Sequence, residues 1–181
     1  MSQITFVIGG CRSGKSRFAL EYAQREYDSN LIFVATCVPR DDEMKDRIFR
    51  HQKARDSCWV TVEAPIRLSE AILRHHQTAN LILVDCITLW LNNLLFESND
   101  FSAIDEHVAA LKHALSIAKC PVILVSNEVG TGIVPENRLA RQFRDLAGAV
   151  HQTLAACSHR VVWMVAGIPV FIKGKADGPI V

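Results

Sequence analysis

The sequence predicts an α/β fold in which a doubly wound, mostly parallel sheet carries helices on both faces. Short apolar runs rich in Val and Ile recur along the chain, and amphipathic stretches separate them. The runs are continuous rather than alternating, which is typical of strands buried on both faces of a sheet. The alternation of such strands with helices predicts parallel strands joined by helical crossovers.

The elements follow one another in a regular order along the chain. The predicted strands are "ITFVIGG" (4–10), "LIFVAT" (31–36), "LILVDC" (81–86), "PVILVSNE" (121–128) and "RVVWMVAG" (160–167). The predicted helices are "SRFALEYAQREY", "IRLSEAILRHH", "AIDEHVAALKHALSIA" and "RLARQFRDLAGAVHQTLAAC". The polar stretch 96–105 predicts a loop, and "KGKADGPIV" predicts a C-terminal tail. "LWLNNLLF" (89–96) and the segment 138–156 are apolar at helical spacing, which favours core over subunit interface.

Length and composition limit the possible functions. A chain of 181 residues predicts one domain, 1–181. Twenty basic and nineteen acidic residues leave a net charge of +1, so the balance argues against a nucleic-acid partner. Six cysteines without a C-x-x-C pair indicate a reduced, cytoplasmic protein. No apolar run reaches the roughly 18–20 residues that a membrane-spanning helix needs, so no integral membrane segment is expected.

A glycine-rich loop follows the first predicted strand and precedes the first predicted helix. Its sequence, "GGCRSGKS", fits the phosphate-loop motif G-x-x-x-x-G-K-[ST]. Gly9 and Gly14 allow the backbone to wrap a phosphate, and backbone N–H groups point inward. Lys15 is then expected to reach the outer phosphates, and the Ser16 hydroxyl to ligate Mg²⁺. The motif in this context predicts nucleotide binding by a P-loop NTPase-like domain.

Such a loop is commonly accompanied by a carboxylate at the end of a neighbouring strand, close to the magnesium ion. Two predicted strands offer one, since "LILVD" ends on Asp85 and "VILVSNE" ends on Glu128. We favour Asp85 on the metal side, with Ser16 as the other ligand. A helix cap or a structural salt bridge is the alternative for Asp85, and Glu128 could instead hold substrate or orient water.

A charged segment behind the second strand, "DDEMKDRIFRHQKAR" (41–55), contains a histidine. On a helix, four-residue steps place Arg47, His51 and Arg55 on one face. Cationic neighbours disfavour protonation, so the imidazole would stay neutral and able to attack phosphorus. The arginines could bind phosphate oxygens bidentately. Spacing alone leaves open that His51 is only a polar residue on a solvated helix face.

These segments together resemble the bifunctional adenosylcobinamide kinase / adenosylcobinamide-phosphate guanylyltransferase family of cobalamin biosynthesis. The resemblance runs in order over nearly the whole chain. It includes "GGCRSGKS", "FVAT", the histidine segment, "WVTVE", "VDCITLWLNNLL", "SNEVGTGIVPENRLARQFRDLAG" and "AGIPVFIK". Outside the phosphate loop, the most specific parts are "NEVGTGIVP" and the pattern D-x-E-M-x-x-R-I-x-x-H.

The resemblance implies two reactions on adenosylcobinamide, a corrinoid. A nucleoside triphosphate, ATP or GTP, phosphorylates its aminopropanol hydroxyl, and GMP from GTP is then transferred through a GMP-histidine intermediate. The histidine falls on His51, which is catalytic together with Lys15. The implied nucleotide contacts are Gly9, Gly10, Cys11, Arg12, Ser13, Gly14, Lys15, Ser16, Ala35, Thr36, Cys37, Gln52, Lys53, Ala54, Arg55, Glu63 and Asp85. The resemblance also implies Mg²⁺ and a homo-oligomer, a trimer.

Two positions depart from the family pattern. His151 stands where many relatives have Asn, which puts a subunit or substrate contact there in doubt. Cys11 stands where relatives often have Ala, and a buried small filler is favoured over an oxidation-sensitive thiol.

Two other functions stay open. One is a simple small-molecule kinase in which His51 is incidental, and the other is a nucleotide-dependent switch without transfer chemistry.

Overall fold

A computed structural model of the chain describes residues 3–39, 58–98 and 101–175, apart from the side chains of 101 and 102. The elements of these residues, in chain order, are β1 (Ile4–Gly9), α1 (Lys15–Glu26), β2 (Leu31–Ala35), β3 (Trp59–Glu63), α2 (Leu68–His75), β4 (Leu81–Asp85), α3 (Ile87–Ser98), α4 (Phe101–Ile117), β5 (Val122–Asn127), α5 (Arg138–Cys157), β6 (Arg160–Val165) and β7 (Ile168–Lys173).

The strands form one seven-stranded sheet in the order β3-β2-β4-β5-β1-β6-β7. Every pairing is parallel except that of β6 with β7, which is antiparallel. Strand β1 lies between β5 and β6, so the loop that leaves its carboxyl end opens near the middle of the sheet. The predicted doubly wound, mostly parallel sheet is confirmed.

The core lies on both faces of the sheet because successive strand residues point to opposite sides. Phe6 packs on one face with residues of α2, α3, α4 and α5. Its neighbour Val7 packs on the other face, against Ala19 and Leu20 of α1. Trp90 and Leu94 of α3 are almost fully buried, so the prediction that "LWLNNLLF" is core is confirmed for these residues, whereas Phe96 at its end is 57% exposed. None of the helices in the described ranges is both long and apolar enough to cross a membrane.

The structure differs from the predictions in three places. The loop predicted over 96–105 is wrong for the residues described there, since α3 continues to Ser98 and α4 begins at Phe101. Ile104 is fully buried, so the polar residues around it form the solvent side of a helix. Strands β3 and β7 were not predicted, and β6 ends at Val165, two residues before the end of the strand predicted over 160–167.

Candidate nucleotide-binding site

The loop between β1 and α1 has the turn geometry that the motif predicts. Ser13 N–H donates to the Gly10 carbonyl at 3.3 Å. Gly14 has φ 92°, a left-handed conformation that glycine adopts without steric strain. Helix α1 begins at the next residue, and Gly14, its N-cap, has no side chain that could cap the first N–H groups of the helix. Its first backbone N–H groups and its dipole therefore favour an anion at this end.

Lys15 lies under this loop and is only 7% exposed. Its Nζ donates to the Gly10 carbonyl at 2.5 Å and approaches the Ser13 hydroxyl at 3.4 Å. Ser16, one residue further along α1, is half-buried. The structure thus places the Lys15 ammonium group inside the loop, and Ser16 follows it in the first turn of α1.

The outer part of the loop consists of Cys11 and Arg12, and both are exposed. Arg12 has φ 54°, which turns the chain at this point. The prediction that Cys11 is a buried filler is wrong, because the loop turns outward there and leaves the side chain in solvent.

Strand β6 and the turn after it support the loop from below. A Cβ on Gly9 would lie 2.5 Å from the Met164 carbonyl oxygen and 2.8 Å from Ser13 Oγ. Gly167 N–H, in the β6–β7 turn, donates to the Ser13 carbonyl at 3.0 Å. The first motif position therefore needs glycine because neighbouring backbone leaves no room for a side chain.

Three of the predicted contact residues form one row at the carboxyl edge of the sheet. Ala35 is the register partner of Glu63 on one side and of Asp85 on the other. Glu63 is exposed, whereas Ala35 and Asp85 are half-buried. In parallel sheets of this kind, ligands bind outside the carboxyl ends of the strands. The fold therefore brings these residues together from distant parts of the chain.

Thr36 and Cys37 continue the chain beyond β2. Thr36 is fully buried, and its hydroxyl donates to the Cys86 carbonyl at 2.7 Å and accepts from Cys86 N–H at 2.8 Å. Asn93 Nδ2 donates to the Thr36 carbonyl at 2.7 Å. The Thr36 side chain thus ties the ends of β2 and β4 together. Contact of Thr36 or Cys37 with nucleotide stays a prediction.

The charges of Lys15 and Asp85 both act on the buried thiol of Cys86. Burial, followed by the negative charge of Asp85, raises the pKa of Cys86 to about 12. The Lys15 ammonium acts in the opposite direction. The carboxylate that ends β4 and the lysine of the loop therefore both act on Cys86, in opposite directions. Within the described residues, Asp85 forms no ion pair.

A second set of contacts at this edge was missed from the sequence. The Thr88 hydroxyl accepts from Asn127 N–H at 3.3 Å and from Asn127 Nδ2 at 3.2 Å. It also lies 3.3 Å from Cys86 Sγ. Asn127 is the register partner of Gly9. These bonds fix the end of β5 between the loop and Asp85, and no local spacing signalled them.

The segment after β5 is anchored to the phosphate loop at its first residue. Glu128 N–H donates to the Gly9 carbonyl at 2.8 Å. The Glu128 carboxylate accepts from Gly130 N–H, which folds the side chain back onto its own loop. The backbone of Glu128 thus joins the two loops, and contact of its carboxylate with substrate or water stays a prediction.

Two arginines of α5 hold this same segment, which we name the β5–α5 loop (128–137). Arg144 donates to the carbonyls of Gly130 at 2.6 Å and Ile133 at 3.0 Å. Arg141 donates to the carbonyls of Pro135 at 2.9 Å and Glu136 at 2.6 Å. The Asn137 side chain caps α5 by accepting from Ala140 N–H. A loop without regular structure is thereby held by side chain to backbone bonds.

His151 lies on the buried side of α5. It is 7% exposed, its Nε2 lies 2.8 Å from Ser126 Oγ, and its ring is 5.7 Å from that of Phe6. Burial lowers the pKa of His151, and the charge of Glu128 acts in the opposite direction. The residue that departs from the family pattern is therefore part of the core, and its side chain links α5 to β5.

The other predicted site residues lie outside the described part of the chain. They are Arg47, His51, Gln52, Lys53, Ala54 and Arg55. Among the residues that are described, no three His, Cys, Asp or Glu side chains cluster closely enough to hold a metal ion by themselves.

The parallel sheet and the glycine loop define a P-loop NTPase-like nucleotide-binding protein. Solved structures have the same fold at low sequence identity. The RadB recombinase is similar with a TM-score of 0.58 and 18% identity, over 99% of this chain and 84% of that one. A KaiC-like protein from Pyrococcus horikoshii is similar with a TM-score of 0.52 and 15% identity, over 89% of this chain and 70% of that one.

Sequence relatives identify the family. Residues 5–172 match the family described as cobinamide kinase / cobinamide phosphate guanyltransferase. The bifunctional adenosylcobalamin biosynthesis protein CobP of Pseudomonas aeruginosa is 40% identical over 93% of this chain and 96% of its own length. CobU of Escherichia coli and CobU of Salmonella typhimurium, which carry the same description, are each 42% identical over 92% of this chain and 98% of theirs. The chain belongs to the cobinamide kinase / cobinamide phosphate guanyltransferase family.

Proposed function

We propose that this protein is a bifunctional transferase that phosphorylates adenosylcobinamide and then transfers GMP to the phosphate it has added. The observation that carries the proposal is the phosphate loop, in which buried Lys15 donates to the Gly10 carbonyl. The charges of Lys15 and Asp85 both act on Cys86. The match of residues 5–172 to the family supports both reactions. The products of the second reaction are adenosylcobinamide-GDP and pyrophosphate.

The loop binds the triphosphate in both reactions. Backbone N–H groups of residues 9–16 and the N-terminus of α1 contact phosphate oxygens. The Lys15 ammonium stabilises the negative charge that develops on the departing group. Ala35, Glu63 and Asp85, aligned in one row, form the neighbouring wall of the nucleotide site. Positioning and electrostatic stabilisation of this kind supply most of the catalysis in phosphoryl transfer.

The donor set present fits Mg²⁺. This ion is usually held by one or two carboxylates and the substrate phosphates, and it keeps several waters. The Asp85 carboxylate has no ion-pair partner among the described residues, and half-buried Ser16 lies in the first turn of α1. The Asp85 carboxylate and the Ser16 hydroxyl would hold the ion together with the substrate phosphates. Bound there, Mg²⁺ would neutralise phosphate charge.

His51 carries the guanylyl group in this proposal. A ring nitrogen of the neutral imidazole attacks the α-phosphorus of GTP, and the bond to the pyrophosphate oxygen breaks, with its electron pair leaving on pyrophosphate. An oxygen of adenosylcobinamide phosphate then attacks the same phosphorus and displaces the imidazole. Arg47 and Arg55, on the same predicted helix face, keep the imidazole neutral and bind phosphate oxygens.

The test follows the phosphorus atom. The protein and its His51→Ala variant are incubated with α-labelled GTP and Mg²⁺, and protein-bound label is measured after acid and after base. We expect acid-labile, base-stable label on the wild type and none on the variant. Label retained by His51→Ala, or absent from the wild type, would exclude the histidine as nucleophile and leave the simple kinase as the better reading.

Two further properties are part of the proposal. The protein is a homo-oligomer, a trimer, and it works in the cytoplasm on a corrinoid rather than on nucleic acid. The native mass in solution tests the first property. Release of pyrophosphate that depends on cobinamide phosphate separates this function from a nucleotide switch, because a switch has no such acceptor.

A further inference from the structure

A surface groove lies between α3 and the start of α5, outside the nucleotide site described above. Its volume is about 490 Å³, within the range of roughly 300–1,000 Å³ typical of small-molecule sites. The apolar part of its lining consists of Leu95, Phe96, Leu139, Ala140 and Phe143. Phe96 and Leu139 are 57% and 56% exposed, so this apolar surface faces solvent. We name this feature the α3–α5 groove.

The polar part of the groove is made of side-chain amides. Asn92, Asn137 and Gln142 line it, and no residue that lines it in the described part of the chain is charged. Asn137 accepts the α5 cap bond from Ala140 N–H with its oxygen, so its amide N–H groups are not used in that bond. Among the described residues, no protein group hydrogen-bonds to the carboxamide of Asn92 or Gln142. The groove thus combines an apolar surface with unused amide donors and acceptors.

The groove lies at the same edge of the sheet as the phosphate loop. Asn93, next to Asn92 on α3, donates to the carbonyls of Thr36 at 2.7 Å and Pro65 at 3.1 Å. Thr36 directly follows β2, and Pro65 lies two residues beyond the end of β3. This turn of α3 is therefore fixed at the carboxyl edge. Asn137, on the other side of the groove, ends the β5–α5 loop, whose first residue donates to Gly9.

We propose that the α3–α5 groove binds the macrocycle of the corrinoid substrate. A corrin ring has broad apolar faces, and its periphery carries carboxamide side chains, which pair with protein carboxamides through complementary N–H···O=C bonds. An uncharged, amide-rich groove matches this periphery, whereas a charged lining would suit a phosphate or a carboxylate. The inference rests on the proposed function, since it names the place where that function's acceptor sits.

The test measures cobinamide binding directly, with hydroxocobinamide as the probe and its visible absorption as the signal. Leu139→Glu puts a carboxylate into the apolar surface, in the first turn of a helix where an acidic residue favours folding. The control, Ile168→Glu, changes an apolar residue of β7 that is 62% exposed, against 56% for Leu139, and lies outside the groove. Thermal unfolding of both variants verifies that they fold.

We expect Leu139→Glu to raise the Kd for hydroxocobinamide about tenfold or more, since one misplaced group in an apolar site costs about that much. Ile168→Glu should stay within about twofold, as surface changes away from a site usually do. Asn92→Asp, which keeps the shape but removes two N–H donors, should weaken binding by several-fold as well. Should Leu139→Glu not fold, Asn92→Asp alone decides the question.

Three outcomes would overturn the inference. Unchanged cobinamide binding in both Leu139→Glu and Asn92→Asp would place the macrocycle elsewhere. Equal losses in Leu139→Glu and Ile168→Glu would show a non-specific effect of charge. A changed native mass of Leu139→Glu with unchanged binding would make the groove a contact between copies of the chain. Labelling of the wild type by α-labelled GTP is measured in a separate experiment. A result against His51 as nucleophile is therefore distinguished from a result against cobinamide binding in the groove.

Discussion

Replacement of Gly9 by alanine should destabilise the protein and move the phosphate loop, whereas the same replacement at Gly10 should not. A Cβ on Gly9 would lie 2.5 Å from the Met164 carbonyl oxygen, and backbone of a central strand cannot yield as a flexible side chain can. A Cβ on Gly10 meets nothing within 4 Å. Overpacking of this kind costs about 1–3 kcal/mol. For a chain of this size, that corresponds to a fall in Tm of about 2–12 °C.

The assay is thermal and urea unfolding of Gly9→Ala, Gly10→Ala and the wild type without nucleotide, so that only the packing of the loop is measured. Gly10→Ala should lie within about 0.5 kcal/mol of the wild type, the usual range for a substitution that meets no steric conflict. Addition of GTP with Mg²⁺ should then raise the Tm of the wild type and leave that of Gly9→Ala nearly unchanged. Equal stability of the two variants would refute the close-contact argument.

Three other predictions follow from single contacts. Burial lowers the pKa of His151 in the folded state, so the unfolded chain binds the proton more readily. The free energy of unfolding should therefore fall as the pH drops through about 6.5, by at most about 1.4 kcal/mol per pH unit. Unfolding measured at several pH values should show that His151→Asn lacks this pH dependence. Arg144→Met removes the bonds that hold the β5–α5 loop and should speed proteolytic cleavage within it. Arg144→Lys should restore part of the protection. Equal cleavage of all three forms would show that Arg144 does not hold the loop in place. Asn93→Leu leaves the carbonyls of Thr36 and Pro65 without their shared donor and should cost about 1–3 kcal/mol for each one left buried and unpaired, as urea unfolding would show.

Most of the sheet could be predicted because a strand buried on both faces leaves an unmistakable continuous apolar run. The runs that became β2 and β4 were placed within one residue of their observed ends. Strand β3 was missed because it is an edge strand whose residues are largely exposed, so "WVTVE" shows no such run. In β7, Pro169 argues against a central strand, but at the sheet edge its missing N–H costs nothing. The turn that separates β6 from β7 consists of Ala166 and Gly167, both with positive φ.

The site was predictable where one motif or one strand end contains the information. The phosphate loop is contiguous in sequence, and the adjacent ends of β2 and β4, at Ala35 and Asp85, follow from the rule that parallel strands end together. Glu63 ends the strand that was missed, so its place in the row did not follow from that rule. The bonds of Thr88 to Asn127 and of Arg144 to its loop were not predictable. Thr88 and Asn127 are 39 positions apart in the sequence, and Arg144 and Gly130 are 14 positions apart. Only the folded chain brings these residues together, and no fixed sequence spacing signals such contacts.

The β5–α5 loop connects the two halves of the proposed chemistry, because each of its ends belongs to a different site. Glu128 at one end is bonded to the first residue of the phosphate loop, and Asn137 at the other end lines the α3–α5 groove. Ile133, at its tip, is 96% exposed yet held through its own carbonyl by Arg144. A rigid loop fixes the separation between nucleotide and acceptor, and a displacement of about 1 Å can cost a hundredfold in rate. The arginine clamp therefore affects more than stability, since loosening it should lower kcat for GMP transfer to cobinamide phosphate while guanylylation of the protein itself continues.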